Sequence, residues 1–336
     1  MPSMRRWSVV LVGAAVLVAL PWVVQHRPVP SSQVTASALL KLVQDSGSQQ
    51  YSGYAEAVGG LAVPVTDQVS SVADLLGSRS SLRVWWRGPL DWRVDTISTF
   101  GESDVHRDDA GTWTWDYEQL RATRTEIAPD VAVRLPTSSD LVPPELGRRL
   151  LSEATAAEVT RLPSKFVAGI AAVGLRLHPS QPQSSIDRVD VWADPKTGLP
   201  LRVDVYGTDS GNPAVTTTFL DFSRAHPNAS DVTFTPPPSA RERTGSNLDL
   251  VSAADQFARP QPPTSLAGIQ RATRTEILGS VGVYGRGATE LVATPLRGRF
   301  ADPLRAQLIK APGVVTDTER TEVGVGPLNL LLLADN

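Results

Sequence analysis

Residues 189–207 read VDVWADPKTGLPLRVDVYG, two alternating runs around a turn. Asp194 is suited to start the turn, Pro195 fixes φ at its second position, and Gly198 supplies the positive φ of a bulged closure. On the return strand Leu201, Val203 and Val205 share one face, and Arg202, Asp204 and Tyr206 share the other. One face is apolar and the other polar, as in a sheet that is covered on one side.

More strands lie outward from this hairpin. LRVWWR (82–87) turns through Gly88-Pro89-Leu90-Asp91 into WRVDTI (92–97), and SDVHR (103–107) turns into TWTWD (112–116). LRATRTEI (120–127), KFVAGIA (165–171), GLRLHP (174–179) and AVTTTFLDFS (214–223) follow the same pattern. Counted from Tyr51 there are about eleven strands, and a sheet of that length curls or closes. The expected fold is therefore mainly β. Helical spacing is present at Ala38, Leu39, Leu42 and Val43, between Val65 and Leu76, and at Leu146, Leu150, Leu151 and Ala154 after Pro143. TPPPS (235–239) and PQPP (260–263) bracket a Pro-rich connector over 236–263. Residues 264–336 then read as a small α+β unit with a helix at DPLRAQLIKA. The heptapeptide RATRTEI recurs at 121–127 and 271–277, but the flanks share nothing in register, so it marks two similar strands and no repeat architecture.

Composition bounds the chemistry. A net charge of −3 gives no footprint for nucleic acid. The absence of cysteine excludes disulfides, thiolate nucleophiles, Cys-ligated metals and a lipid-modified cysteine. Arg5 and Arg6 precede Trp7–Val24, a run of 18 residues without a charge. This reads as a transmembrane signal anchor with residues 1–6 cytoplasmic, residues 25–34 as linker and the rest extracytoplasmic. The alternative is a cleaved signal peptide. On this reading 35–235 is the main domain.

No catalytic constellation is visible. His26, His106, His178 and His226 are not paired at metal-ligand spacing, and no G-x-S-x-G motif occurs. Asp108-Asp109 fits a turn, and GVYGRG (282–287) lacks the order of a dinucleotide fingerprint. No cofactor, metal or catalytic residue is expected. The aromatics are more informative. Trp85, Trp86, Trp92, Trp113 and Trp115 crowd one meander. Either they fill an ordinary core or they line an apolar hollow suited to an acyl chain. Sixteen buried carbons would contribute roughly 10 kcal/mol before ordering costs. The candidate wall is Val84, Trp86, Trp92, Val94, Trp113, Trp115, Val203 and Val205, with Leu146, Leu150 and Leu151 lining a lid. Pairing of Arg87 with Trp92 across the turn would place Trp86 and Trp92 on opposite faces.

YSGYAE, RVWWRGPLDWRVD, GTWTWD and VDVWADPKTGLPLRVDV, in that order, resemble the LolA/RseB-like superfamily over roughly 35–235, and most closely its actinobacterial, membrane-anchored members. VGVYGRGATELVATPL is similar to the smaller second domain of RseB-type proteins. The resemblance implies a half-closed antiparallel β-barrel of about eleven strands with lid helices over an apolar cavity. It implies a non-enzymatic role. One form of that role is a membrane-tethered binder of a lipid or lipoprotein acyl chain. The other is an RseB-like regulator that binds a membrane anti-sigma factor in envelope-stress signalling.

Overall fold

The structure is a computed structural model. It describes residues 13, 29–30, 32–59, 77, 79–98, 101–126, 137–208, 211–245, 262–272, 281–294, 296, 298–311, 313–325 and 327–333. The chain divides into 1–33 and 34–336. Among the described residues no helix is long and apolar enough to cross a membrane. The expected transmembrane anchor, and with it the single-pass arrangement at the cell membrane, is corrected accordingly. Residues 7–24 themselves lie, apart from Gly13, outside the described residues, as does the helix expected at 65–76 except for residue 77 beside it.

The large sheet is built from β1 (Tyr51–Gly59), β2 (Arg79–Gly88), β3 (Asp91–Ser98), β4 (Gly101–Asp108), β5 (Gly111–Asp116), β6 (Arg121–Glu126), β7 (Val159–Val167), β8 (Ile170–Leu177), β9 (Ile186–Ala193), β10 (Pro200–Gly207), β11 (Val215–Ser223) and β12 (Arg241–Gly245). Its order is β12-β6-β5-β4-β3-β2-β1-β11-β10-β9-β8-β7. Consecutive strands pair antiparallel within β2–β6 and within β7–β11, and β1 joins these two meanders by pairing with both β2 and β11. The last strand differs. After β11 the chain passes through α3 (Ala229–Val232) and returns to lie parallel to β6.

The expected half-closed antiparallel barrel of about eleven strands is thus corrected to an open, mixed sheet of 12 strands. The two end strands, β12 and β7, are not paired with each other. The twelfth strand was hidden in the Pro-rich stretch because RERTG carries no apolar alternation. Its place is set by backbone pairing alone.

Two helices cover one face of the sheet, called inner here. α1 (Ala36–Gln44) is capped by Thr35, whose hydroxyl accepts from the Ala38 amide, and buries Leu39, Leu40 and Val43. α2 (Pro143–Leu151) opens on two prolines, which lack amide hydrogens where a helix has no use for them. The inner positions of β1–β3 and β8–β11 form one apolar core with these helices. Beyond the sheet, β13 (Ser265–Leu266) pairs with β14 (Ile269–Gln270), and β15 (Gly282–Arg286) with β16 (Thr289–Ala293). α4 (Gly298–Leu308) leads to a small sheet of β17 (Val315–Thr316), β18 (Arg320–Val325) and β19 (Leu328–Leu333).

Candidate functional site

The hairpin quoted above holds the helices in place. Asp194 is fully buried. Its carboxylate accepts from the Lys196 amide (3.0 Å), the Thr197 hydroxyl (2.9 Å) and Arg224 Nε (2.5 Å). Burial alone would raise its pKa. The hydrogen bonds from Arg224, Lys196 and Thr197 outweigh that and hold it below the usual carboxylate range. Gly198 closes the turn at φ +74°, and a Cβ there would overlap the Leu42 carbonyl oxygen of α1. The next strand seats the other helix. A Cβ on Gly147 of α2 would meet Pro200 Cγ at 2.7 Å and Val203 Cγ2 at 3.1 Å. Each helix is thus pressed onto the hairpin through a glycine contact.

The candidate wall residues are divided by the sheet. Trp86 pairs directly with Trp92, and Val84 with Val94. The expected opposite facing of Trp86 and Trp92 is corrected: a bulge makes Arg87 the extra residue and restores the register. Arg87 donates to Asp91 (2.7 Å) and to the Pro227 carbonyl (2.7 Å), which accounts for its displacement from the ladder. Tyr51, Trp86 and Trp92 stack in a column with centroid spacings of 5.9 and 5.2 Å. Val84, Trp86, Trp92, Val94, Val203, Val205 and Leu151 are all buried in the inner core, with Leu146 and Leu150 half-buried against it.

Trp113 and Trp115 stand on the other face, because their neighbour Thr114 pairs with Val105, which pairs with Val94. There they gather around Phe234, with ring centroids at 5.8 and 6.2 Å. His106 lies against the same ring and its Nδ1 meets the Val232 carbonyl at 2.8 Å. Burial lowers its pKa. Period-two alternation does tell that Trp113 and Trp115 share a face. Which face depends on the register across four strands.

Among the described residues the inner face carries two unmatched hydroxyls, those of Tyr51 and Thr96. The Tyr51 hydroxyl is buried without a hydrogen-bond partner, and burial raises its pKa well above the usual value. Glu145 and Arg148 act on it electrostatically and pair with each other at 2.5 Å. These two side chains also line a cavity of about 420 Å³ together with Gln44, Asp140, Arg149 and Ser152. Gln44 spans from α1 to the end of α2, donating to the carbonyls of Leu151, Ser152 and Ala154. Its six lining side chains are polar or charged and come from α1, from α2 and from residues flanking α2.

The outer face is ordered by charge. Arg93 donates to both oxygens of Asp95 (2.5 and 2.8 Å) and to Asp104 (3.0 Å), and Tyr117 donates to Asp104 (3.0 Å). Burial raises the pKa of both aspartates, Arg93 opposes the shift, and the Asp95 charge adds to that of Asp104. The Tyr117 hydroxyl is pushed up to about 12 by burial and by its bond to Asp104. Glu102 brings a third carboxylate within 4.8 Å of the pair. The guanidinium already bridges the two aspartates, which makes the cluster an ion-pair network. The other meander repeats the device with Arg176–Asp190 and Arg202–Asp204. The three described histidines bond to backbone carbonyls or to Gln50 and Arg87, and none meets a serine hydroxyl.

The hairpin of β15 and β16 is clamped to the start of β7. Arg286 of β15 donates to Glu158 Oε1 (2.8 Å) and to the Glu153 carbonyl. Glu158 also accepts from the Ser180 hydroxyl (2.6 Å) and from the Thr155 amide and hydroxyl (each 2.9 Å). Burial opposes ionisation, yet these bonds pull its pKa down to about 2. A cavity of about 10 Å³ beside the clamp has room for one water at most. Neither the clamp nor the helix seats were found by reading the sequence. Gly147 was the available signal: a glycine inside a helix costs about 1 kcal/mol against alanine and points to a close contact.

No protein-family model matches the chain, and no curated protein matches it. Solved structures do. The MucA/MucB complex of Pseudomonas aeruginosa is similar at 17% identity and a TM-score of 0.48, covering 89% of this chain and 89% of that one. An uncharacterized conserved protein from Thermus thermophilus is similar at 10% identity and a TM-score of 0.37, covering 61% of this chain and 97% of that one. A LolA superfamily protein from Nitrosomonas europaea is similar at 10% identity and a TM-score of 0.26, covering 60% of this chain and 98% of that one. The chain is thus similar to structures of the LolA and MucB kind, and none of them carries the finer expectation of an actinobacterial, membrane-anchored type.

Proposed function

We propose that this chain is a non-catalytic binding protein of the cell envelope that holds a segment of a protein partner, an anti-sigma factor in envelope-stress signalling. The observation that carries this reading is the seating of α2. Gly147 lies too close to Pro200 and Val203 for a Cβ to fit between them, so the chain's own helix is seated on the β10 part of the apolar wall. Two of the exposed surfaces offer a partner polar and charged groups: the cavity lined by Gln44, Arg148 and Arg149, and the exposed strand β12. Polar rims and hydrogen-bonding edges suit a peptide segment better than an acyl chain. MucB has been solved in complex with MucA(peri), and the partner proposed here stands in the same relation to this chain.

The second reading is acyl-chain binding at Val84, Trp86, Trp92, Val94, Val203 and Val205 beneath Leu146, Leu150 and Leu151. It is favoured by the contiguity of these side chains in one core. It requires α2 to lift, and each fully buried leucine exposed in doing so costs about 1.5–3 kcal/mol. Trp113 and Trp115 take no part in such a wall, since one chain cannot touch both faces of the sheet.

Photo-crosslinking from a benzoylphenylalanine at Arg149 of the full chain, in cells, separates the readings. Capture of the extracytoplasmic segment of a membrane-embedded regulator is expected. Adducts of fatty acid or phospholipid alone would overturn the first reading in favour of the second.

A further inference from the structure

The two ends of the sheet are not alike. β7 is blunted by Pro163 and by a register shift between Leu162 and Lys165. Trp192 donates to the Pro163 carbonyl (3.1 Å), and the Lys165 ammonium sits 3.0 Å above the Trp192 ring. At the opposite end β12 has neither proline nor bulge, and its five residues pair in continuous register with β6. Its side chains from Arg241 to Thr244 are exposed, and among the described residues its outer backbone edge meets no other strand.

Arg241 and Arg243 project to the same face, opposite Arg121 and Thr123 of β6. Arg121 already pairs with Asp116 at 3.4 Å. Among the described residues Arg241 and Arg243 have no ion pair. Like charges placed side by side on a sheet are destabilising, so an unrelieved row of this kind calls for a counter-charge. The same arginines rule out a second copy as the occupant. Its own β12 would bring two more arginines onto the same face. They favour a strand with carboxylates at alternate positions, while Glu242 on the reverse face disfavours acidic residues between them.

We propose that the outer edge of β12 takes an extended, acidic segment of a partner protein as an added strand, with Arg241 and Arg243 reading carboxylates two residues apart. This rests on the reading of the chain as a protein-binding molecule and names where and what it binds. The backbone edge supplies affinity and the arginines supply specificity.

Fluorescence anisotropy with the full chain tests it. The probes are labelled Val-Glu-Thr-Glu-Thr-Glu-Val, its lysine counterpart, and the glutamate peptide N-methylated at alternate residues. The glutamate peptide is expected to bind, and the lysine peptide and the N-methylated peptide to bind at least tenfold more weakly. The double variant R241E/R243E is expected to reverse the preference for charge. That reversal also shows the variant is folded. Equal binding of both charge types, an unchanged affinity in the double variant, or full binding of the N-methylated peptide would each overturn the proposal. If the peptide fails while a protein partner is captured at Arg149 in cells, the edge assignment is wrong and the protein-binding reading stands. If the peptide binds and no partner is captured, the edge assignment holds without that reading.

Discussion

At the scale of single residues, the chain is organised by buried carboxylates that hold backbone in place. Asp194 accepts two side-chain and one amide hydrogen bond at the turn that seats α1 and leads into the strand that seats α2. D194A strands Arg224 and leaves the Lys196 amide unmatched, and should destabilise the fold by about 2–4 kcal/mol, read from urea denaturation. Glu158 gives a pH signature. Its folded pKa of about 2 lies below the ordinary 4.5, so its contribution is complete above about 4.5 and is lost as pH falls toward 2. E158Q should therefore be less stable at pH 7 and lose less stability than the parent between pH 5 and pH 3. The turn residues of the hairpin were legible in sequence because Asp, Pro and Gly each impose a local geometry. The partners of Asp194 were not, since Arg224 is 30 residues away and meets it only through the register of β10 on β11.

At the scale of elements, the decisive contacts are helix on sheet. G147L places a branched side chain where Pro200 and Val203 already stand. It should cost about 1–3 kcal/mol from overpacking and speed hydrogen exchange across 143–151 while leaving β2–β5 protected. Uniform loss of protection across the sheet would contradict the seating. Strand positions were readable from period-two alternation, and the pairing of β9 with β10 from the turn between them. Facing was less readable. One extra residue, Arg87, shifts the whole of β2 against β3 and brings Trp86 onto Trp92. Trp113 and Trp115 reach the outer face through the same accumulated register, where Phe234 covers them.

At the scale of the whole molecule, a curled antiparallel closure was the natural expectation for so many short strands. A short charged strand, β12, instead ends the sheet in parallel, and charge patterns alone give no sign of such pairing. The apolar face that sequence assigns to a lipid wall belongs to one buried core with residues of α1 and α2. The central claim is that this buried face leaves recognition to polar surfaces and edges. Native mass spectrometry of the full chain, purified from cells and released from any detergent in the gas phase, tests it most directly when combined with uptake of a fluorescent fatty acid. The account predicts the mass of the polypeptide without an acyl ligand and no saturable uptake. A stoichiometric acyl mass, displaced by the fluorescent fatty acid, would contradict it.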